Sequence, residues 1–133
     1  MQYMLDTNIV SEIIRNPAGH AAQRARAAAE SVCVSVVVAA ELRYGCARKA
    51  SPQLRRRVEA FLAEVPVLRF DVPADSAYGD IRADLEAAGR PIGSNDLLIA
   101  AHACALAATV VTANVGEFRR VRGLNVENWL DQP

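Results

Sequence analysis

The sequence lacks paired cysteines, a long apolar run and an excess of either charge. Its three cysteines, Cys33, Cys46 and Cys104, are odd in number and show no C-x-x-C spacing. They therefore argue against a disulfide framework or a zinc site and suit a reducing cytoplasm. A signal peptide is not expected, because Asp6 interrupts the N-terminal apolar run too early, and no apolar segment is long enough to cross a membrane.

The balance of charge excludes a protein whose overall field attracts nucleic acid. Lysine and arginine total 15, and aspartate and glutamate also total 15, so any binding of nucleic acid must come from local patches. Hydrophobic residues make up 52% of the 133 positions and charged residues 23%. This composition predicts a soluble globular protein, and the length suits one domain over residues 1–133 with a substantial core. The chain has no repeat, low-complexity tract or linker.

The order of apolar patterns predicts an α/β fold. Short apolar or β-branched segments alternate with stretches of helical periodicity, which implies a mostly parallel sheet with helices on both faces. The segment beginning at Pro66 is expected at an edge, since proline cannot donate a hydrogen bond to a neighbouring strand. The predicted strands cover residues 2–5, 31–38, 65–70, 108–112 and 124–126.

Asp96 stands at the start of an unusually apolar helix. Pro91 and Gly93 end the preceding element, Ser94 is predicted to cap the new helix, and Asp96 falls in its first turn. An acid at this position can simply complement the helix dipole, which is worth a few tenths of a kcal/mol up to about one. That interpretation loses weight because two other acids also lie in apolar settings.

Asp6 and Glu41 are those two acids. Asp6 lies where a predicted strand ends and a helix begins, so it is either a helix cap or a ligand at the carboxyl end of a strand. Glu41 follows five apolar residues and has no basic residue three or four positions away. Because an unpaired buried charge is costly, Glu41 needs a distant partner or a metal ion.

The three acids can converge at the carboxyl edge of a parallel sheet. Carboxylates grouped without a cation repel one another, which raises their pKa values. Such a group usually binds a divalent metal, and ligation by oxygen alone favours Mg²⁺ or Mn²⁺ over zinc.

Several motifs occur in an order that resembles the PIN-domain ribonucleases, specifically the VapC toxins of bacterial toxin–antitoxin pairs. They span nearly the whole chain and lie at residues 4–8, 40–45, 91–103, 111–118 and 126–129. The resemblance implies a five-stranded parallel sheet and a Mg²⁺-dependent RNA endonuclease. It also implies a tRNA substrate, a cognate VapB-type antitoxin and a homodimer.

The resemblance also assigns roles to particular residues. Asp6, Glu41 and Asp96 match the metal-binding and catalytic acids of the family. Asn114 occupies a position where many relatives carry aspartate, and it is a further possible metal ligand. Glu117 is the nearby acid that can act in its place, so the fourth ligand and a second metal site stay open. Arg43, Arg82 and Arg119 are candidates for contacts with the RNA backbone.

Two other functions compete with this interpretation. A phosphotransfer receiver also has an acidic Mg²⁺ pocket, but it would carry paired acids after the first strand and a lysine near the last strands. This chain has Asp6-Thr7-Asn8 and a single lysine, Lys49, on an early helix. The second alternative is a non-catalytic module that keeps the fold only to bind a partner protein or to act in a DNA-binding complex.

Overall fold

A computed structural model describes residues 1–130 and places a parallel sheet at the centre of the molecule. The strands are β1 (Tyr3–Leu5), β2 (Val32–Ser35), β3 (Val67–Leu68), β4 (Thr109–Val111) and β5 (Val126–Glu127). They form one five-stranded sheet in the order β3-β2-β1-β4-β5, and every adjacent pair is parallel. The predicted α/β class is confirmed, and the sheet is parallel throughout the described residues. The single-domain prediction also includes residues 131–133, which lie outside them.

The connections between strands are helical. The helices are α1 (Thr7–Arg15), α2 (His20–Ala27), α3 (Val36–Lys49), α4 (Pro52–Glu64), α5 (Ala74–Ala87), α6 (Ser94–Leu106) and α7 (Val115–Phe118). The strand order reverses direction at β1. Because crossovers between parallel strands are right-handed as a rule, this order predicts α1 to α4 on one face of the sheet and α5 to α7 on the other. No helix in the described part of the chain is both long and apolar enough to cross a membrane.

Strand β1 occupies the middle of the sheet and is paired on both sides. Tyr3 lies opposite Val32 on one side and Thr109 on the other. Met4 and Leu5 are completely buried, as expected for a strand covered on both faces. The pairing continues one residue further, since the Asp6 amide donates to the Val111 carbonyl at 2.8 Å. Asp6 is thereby fixed at the carboxyl edge of the sheet.

Several predicted element boundaries are wrong. Strands β3 and β5 cover Val67–Leu68 and Val126–Glu127, where strands over residues 65–70 and 124–126 are predicted, and two further errors have a local cause. The second strand ends at Ser35, whereas the β-branched run had predicted strand up to Val38. The Ser35 hydroxyl accepts a hydrogen bond from the Val37 amide at 3.1 Å, and this cap starts α3 inside the β-branched run. The other error concerns Ser94, which is the first helical residue of α6. Gly93 is the cap residue, and no side chain caps this helix.

Other local predictions are confirmed. Ser51 caps α4 through the Leu54 amide, with Pro52 in the first turn. Strand β3 lies at one edge of the sheet. Gly89 has a φ of 69° just after α5, the left-handed conformation that glycine adopts most readily.

Trp129 follows β5 and is fully buried. The centroids of the Trp129 and Tyr3 rings are 5.1 Å apart. The guanidinium of Arg24, a residue of α2, lies 4.9 Å from the centroid of the Trp129 ring. The indole N–H donates to Glu127 at 2.9 Å, which satisfies its one polar group. These contacts tie the last described residues to β1 and α2.

Candidate functional site

The four acids selected from the sequence come from four different elements and meet in one region at the carboxyl edge of the sheet. Asp6 caps α1, directly after the central strand. Glu41 comes from α3, Asp96 from the first turn of α6, and Glu117 from α7. The region is therefore built from segments far apart in sequence, and hydrogen bonds between polar side chains connect the acids.

Asp6 is the most buried of the four, with 4% of its surface exposed. One carboxylate oxygen accepts the Thr7 amide at 2.8 Å, and the other accepts the Thr112 hydroxyl at 2.8 Å. Asn8 adds a weaker contact at 3.4 Å. Burial raises the pKa of Asp6 above its usual value, and the charge of Glu41 adds to the rise, while the hydrogen bonds oppose it. Asp6 thus serves as a helix cap and also faces the other acids.

Glu41 is half-buried, and two neutral side chains hold its carboxylate. It accepts the Thr7 hydroxyl at 2.6 Å and the Asn95 amide at 3.0 Å. Thr7 therefore contacts Asp6 through its backbone and Glu41 through its side chain. The sequence predicted that Glu41 needs a distant partner or a metal ion. Within the described residues its partners are these two neutral hydrogen-bond donors, and it forms no ion pair.

Asn114 links Asp96 to Glu117. Its side-chain amide donates to Asp96 at 3.0 Å and also to the Glu117 carboxylate. The pKa of Asp96 is raised to about 7, first by burial, then by its hydrogen bond with Glu117 and by the charge of Asp6. The pKa of Glu117 is lowered, mainly by the same hydrogen bond. Below about pH 7 the metal-free site therefore holds a proton on Asp96, and above that pH the carboxyl ionises.

The acids have no ion-pair partner in the described part of the chain, although the charge of Arg120 helps to lower the pKa of Glu117. Within residues 1–130, none of the four carboxylates forms an ion pair with lysine, arginine or histidine. No three histidine, cysteine, aspartate or glutamate side chains in that range converge as a ready-made group of metal ligands. The expected convergence of Asp6, Glu41 and Asp96 thus takes the form of a chain of acids joined by polar side chains.

The donor chemistry nonetheless fits a hard divalent cation. All four acids offer oxygen ligands. The pKa values of Asp6 and Asp96 are raised, and a bound cation would lower them because it favours the ionised form. Mg²⁺ needs only one or two carboxylates, because water and substrate phosphates complete its octahedral shell. Asp6 and Asp96, whose charges interact with each other, are the pair best placed to supply them.

Sequence reasoning missed the neutral residues that hold the acids. Thr7, Asn95 and Thr112 each donate to one of the carboxylates. A signal existed for two of them, because Thr7 follows Asp6 directly and Thr112 follows β4, the strand beside β1. Two of the three arginines proposed to contact RNA are engaged elsewhere. Arg43 pairs with Glu59 at 2.9 Å, and Arg82 pairs with Glu86 at 3.0 Å.

A groove of about 290 Å³ opens beside Glu41, between α1, α3 and α4. Apolar side chains such as Leu42 and Val58 line it, Thr7 and Glu41 stand among its lining residues, and Lys49 and Arg57 add positive charge. An occupant of this groove would cover the approach to Glu41.

Comparison with known proteins links this geometry to a family. The model of the PIN domain family matches residues 3–124. The chain is 40% identical to ribonuclease VapC2 of Rickettsia felis over 132 residues, covering 97% of this chain and 98% of that protein. It is 38% identical to the tRNA(fMet)-specific endonuclease VapC of Shigella flexneri over 130 residues, with the same coverage of both chains.

Solved structures give the same result. VapBC2 from Rickettsia felis, bound to a DNA fragment from its promoter, contains a chain that matches with a TM-score of 0.90 and 37% identity. The match covers 97% of this chain and 99% of that one. DNA-bound VapBC from Salmonella typhimurium matches with a TM-score of 0.88 and 36% identity, covering 97% and 98% of the two chains.

Proposed function

Because the chain belongs to the PIN domain family, we propose that it is a metal-dependent RNA endonuclease of the VapC type. It would be the toxin of a type II toxin–antitoxin pair, and tRNA would be its substrate, as the name of the Shigella relative indicates for that protein. The observation that carries the proposal is the uncompensated Asp96 carboxyl, whose pKa is raised to about 7 beside Asp6 and Glu117. Groups perturbed in this way cluster at catalytic sites.

The proposed chemistry is metal-assisted hydrolysis of a phosphodiester. Asp6 and Asp96 would hold Mg²⁺, and Mn²⁺ is expected to substitute because it also prefers oxygen ligands. When bound, the ion would lower the pKa of a water molecule and stabilise charge on the scissile phosphate. Asp96 must release its proton to take part. Thr112 and the Thr7 amide keep Asp6 oriented throughout.

Glu41 and Glu117 would act around this pair. Glu41 is held by Thr7 and Asn95, and it would accept a hydrogen bond from the attacking water. Asn114 leaves Glu117 tied to Asp96, and its lowered pKa keeps Glu117 ionised, so Glu117 would contribute through water. Asn114 itself would be at most a weak ligand through its amide oxygen.

The proposed protein partner is a cognate VapB-type antitoxin. The similar solved structures are VapBC complexes, and the groove beside Glu41 would accommodate an antitoxin segment that blocks the site. We also propose a homodimer, on the family resemblance alone. All three cysteines are free, which supports the proposed cytoplasmic location.

The deciding experiment incubates the purified protein with total RNA in Mg²⁺, in Mn²⁺ and in EDTA. Cleavage of tRNA is expected with either metal and not with EDTA. RNA left intact under all three conditions would contradict the proposal. It would favour the second candidate, a non-catalytic module within a DNA-binding complex, which the DNA-bound state of two similar structures supports.

A further inference from the structure

His102 is a buried polar residue that the proposed reaction does not use. It lies in the middle of α6, and 2% of its surface is exposed. Its Nδ1 lies 2.9 Å from the hydroxyl oxygen of Ser35, which is completely buried. The Phe70 ring packs edge-on against the imidazole, with 5.5 Å between ring centroids. A buried polar pair of this kind is maintained only where every hydrogen bond is satisfied.

The hydrogen bonds around His102 allow one consistent arrangement. The backbone carbonyl of Arg69 accepts a hydrogen bond from the imidazole. Because Nδ1 faces Ser35, we assign the ring hydrogen to Nε2. Nδ1 is then the acceptor, and the Ser35 hydroxyl donates to it. The same hydroxyl accepts from the Val37 amide at 3.1 Å, where it caps α3. One serine thus both starts α3 and binds α6.

A second hydrogen bond joins the same two helices at the candidate site. Asn95 near the start of α6 donates to Glu41 of α3 at 3.0 Å. Ser35 contacts a later residue of α6, His102, so the two helices pass each other in opposite directions. In each helix the two contact points are six or seven residues apart, which corresponds to roughly 10 Å at the rise of an α-helix. The spacings match, so the two hydrogen bonds together define one alignment of α3 against α6.

We propose that the buried Ser35–His102 hydrogen bond is a positioning device that aligns Glu41 on α3 with Asp96 on α6. Without the Ser35 hydroxyl, the cap at the start of α3 and the bond to His102 on α6 are lost together. Glu41 then keeps only its own hydrogen bonds to Thr7 and Asn95 to place it. This role rests on the proposed nuclease function, since alignment matters only if the two acids act together. Ser35 and His102 do not touch substrate or metal in this role.

The test compares variants that break the contact with variants that keep it. Ser35→Ala removes the hydroxyl. His102→Gln keeps a donor near Nε2 for the Arg69 carbonyl but withdraws the acceptor near Nδ1, whereas His102→Asn retains an acceptor near Nδ1. Ser51→Ala is the matched control, because Ser51 caps α4 through the Leu54 amide at 3.2 Å and, within residues 1–130, its side chain forms no hydrogen bond to α6.

The readouts are kcat and KM for RNA cleavage in Mg²⁺, together with the melting temperature of each variant. Ser35→Ala and His102→Gln are expected to lower kcat by about tenfold or more at an unchanged KM, because small misplacements at a reacting centre are costly. His102→Asn should recover most of kcat. Ser51→Ala should lower the melting temperature through the loss of its one cap hydrogen bond, by less than Ser35→Ala, and leave kcat unchanged.

The double variant Ser35→Ala/His102→Gln should lose no more activity than either single variant, because both remove one contact. If Ser35→Ala does not fold, the comparison of His102→Gln with His102→Asn carries the same test. Wild-type cleavage with kcat unchanged in the contact-breaking variants would overturn the positioning role alone. A kcat loss in Ser51→Ala equal to that in Ser35→Ala would overturn it as well. A wild type that cleaves no RNA contradicts the proposed function and this role with it.

Discussion

At the scale of single residues, Asp96 concentrates the unusual chemistry of the site. The sequence predicted its importance, because an acid at the start of an apolar helix is uncommon. The sequence could not predict that Asn114 donates to both Asp96 and Glu117. That contact joins α6 to α7 and depends on how the two elements pack, which local periodicity does not encode. Asp6 and Glu41 were selected for the same reason as Asp96, because they are acids in apolar surroundings. Their threonine and asparagine partners were not predicted.

The first prediction concerns Asp96→Asn. This change keeps the size of the side chain and removes the charge that Asp96 carries above about pH 7, which repels Asp6 and Glu117. We expect loss of RNA cleavage and of growth arrest in cells, together with a higher melting temperature of the metal-free protein. Asp75→Asn is the control, because Asp75 is also an acid in a first turn, that of α5. It should change stability by only a few tenths of a kcal/mol and leave cleavage intact. Full activity of Asp96→Asn would reduce Asp96 to a helix-dipole residue.

The second prediction concerns pH. The pKa of Asp96 is about 7 in the folded metal-free protein, above the ordinary aspartate value of 3.8. The folded state therefore binds this proton more tightly than the unfolded state does. Its contribution to stability is complete below about pH 4 and is lost as the pH rises through 7. Glu117, whose pKa is lowered, acts in the opposite sense, and its contribution is lost as the pH falls through its folded-state pKa.

Denaturant unfolding in EDTA at several pH values between 4 and 8 measures this effect. The wild type should lose more stability across that range than Asp96→Asn, whose curve should be flatter. Parallel curves for the two proteins would show that Asp96 titrates near its ordinary value.

At the scale of helices and strands, the sequence predicted which elements exist and in what order, but not all of their ends. Val36 to Val38 is β-branched, yet these residues are helical because the Ser35 hydroxyl caps them and bonds to His102. A tertiary contact therefore decided where β2 stops. The prediction that Ser94 caps α6 is wrong, because the helix begins one residue earlier than expected and Gly93 occupies the cap position. Ser51 and Gly89 were predicted correctly because their caps depend only on neighbouring residues.

The third prediction follows from the ends of α3 and α6. Ala50 and Ala107 follow these helices with φ values of 50° and 54°, a left-handed conformation that disfavours a Cβ atom. Ala50→Gly and Ala107→Gly should each stabilise the protein by about 0.5–1 kcal/mol. Ala105→Gly, within α6, should destabilise it by a similar amount. Chemical denaturation measures all three, and a loss of stability in the first two would contradict the assigned helix ends.

At the scale of the whole molecule, the alternation of strands and helices predicted a parallel sheet, and the family resemblance predicted its five strands. Both predictions are confirmed. The sequence also indicated that the acids would gather at the carboxyl edge, because parallel strands end at the same side. It did not predict how Thr7, Asn95, Thr112 and Asn114 would be spaced around the acids to donate hydrogen bonds to them. Such spacing depends on side-chain packing across four elements.

The fourth prediction concerns the response of the whole fold to Mg²⁺. An ion that binds only the folded state raises the melting temperature by mass action. Millimolar Mg²⁺ should therefore raise the melting temperature of the wild type above its value in EDTA. Asp6→Asn should lose most of this increase, because it removes one of the two carboxylates proposed to hold the ion. An equal increase in both proteins would place the ion elsewhere.

The fifth prediction concerns the products. Hydrolysis by activated water does not use the ribose 2′-hydroxyl as the nucleophile, so it should leave 5′-phosphate and 3′-hydroxyl ends. The two histidines cannot replace this chemistry as an acid–base pair, because His102 is buried against Ser35, away from His20 on α2. End-labelling of the fragments distinguishes the outcomes, and 2′,3′-cyclic phosphate ends would contradict the mechanism.

The central position of β1 has a consequence during protein synthesis. Strand β1 comes from residues 3–5, yet one of its two neighbours, β4, comes from residues 109–111. The Thr112 hydroxyl that fixes Asp6 likewise lies 106 positions further along the chain. A growing chain therefore carries Asp6 from the start but cannot complete its surroundings until most of the polypeptide has left the ribosome. At about 5–20 residues per second, the nascent protein stays without a finished catalytic edge for several seconds. During this interval the proposed antitoxin can already be present, before the nuclease is able to cleave RNA.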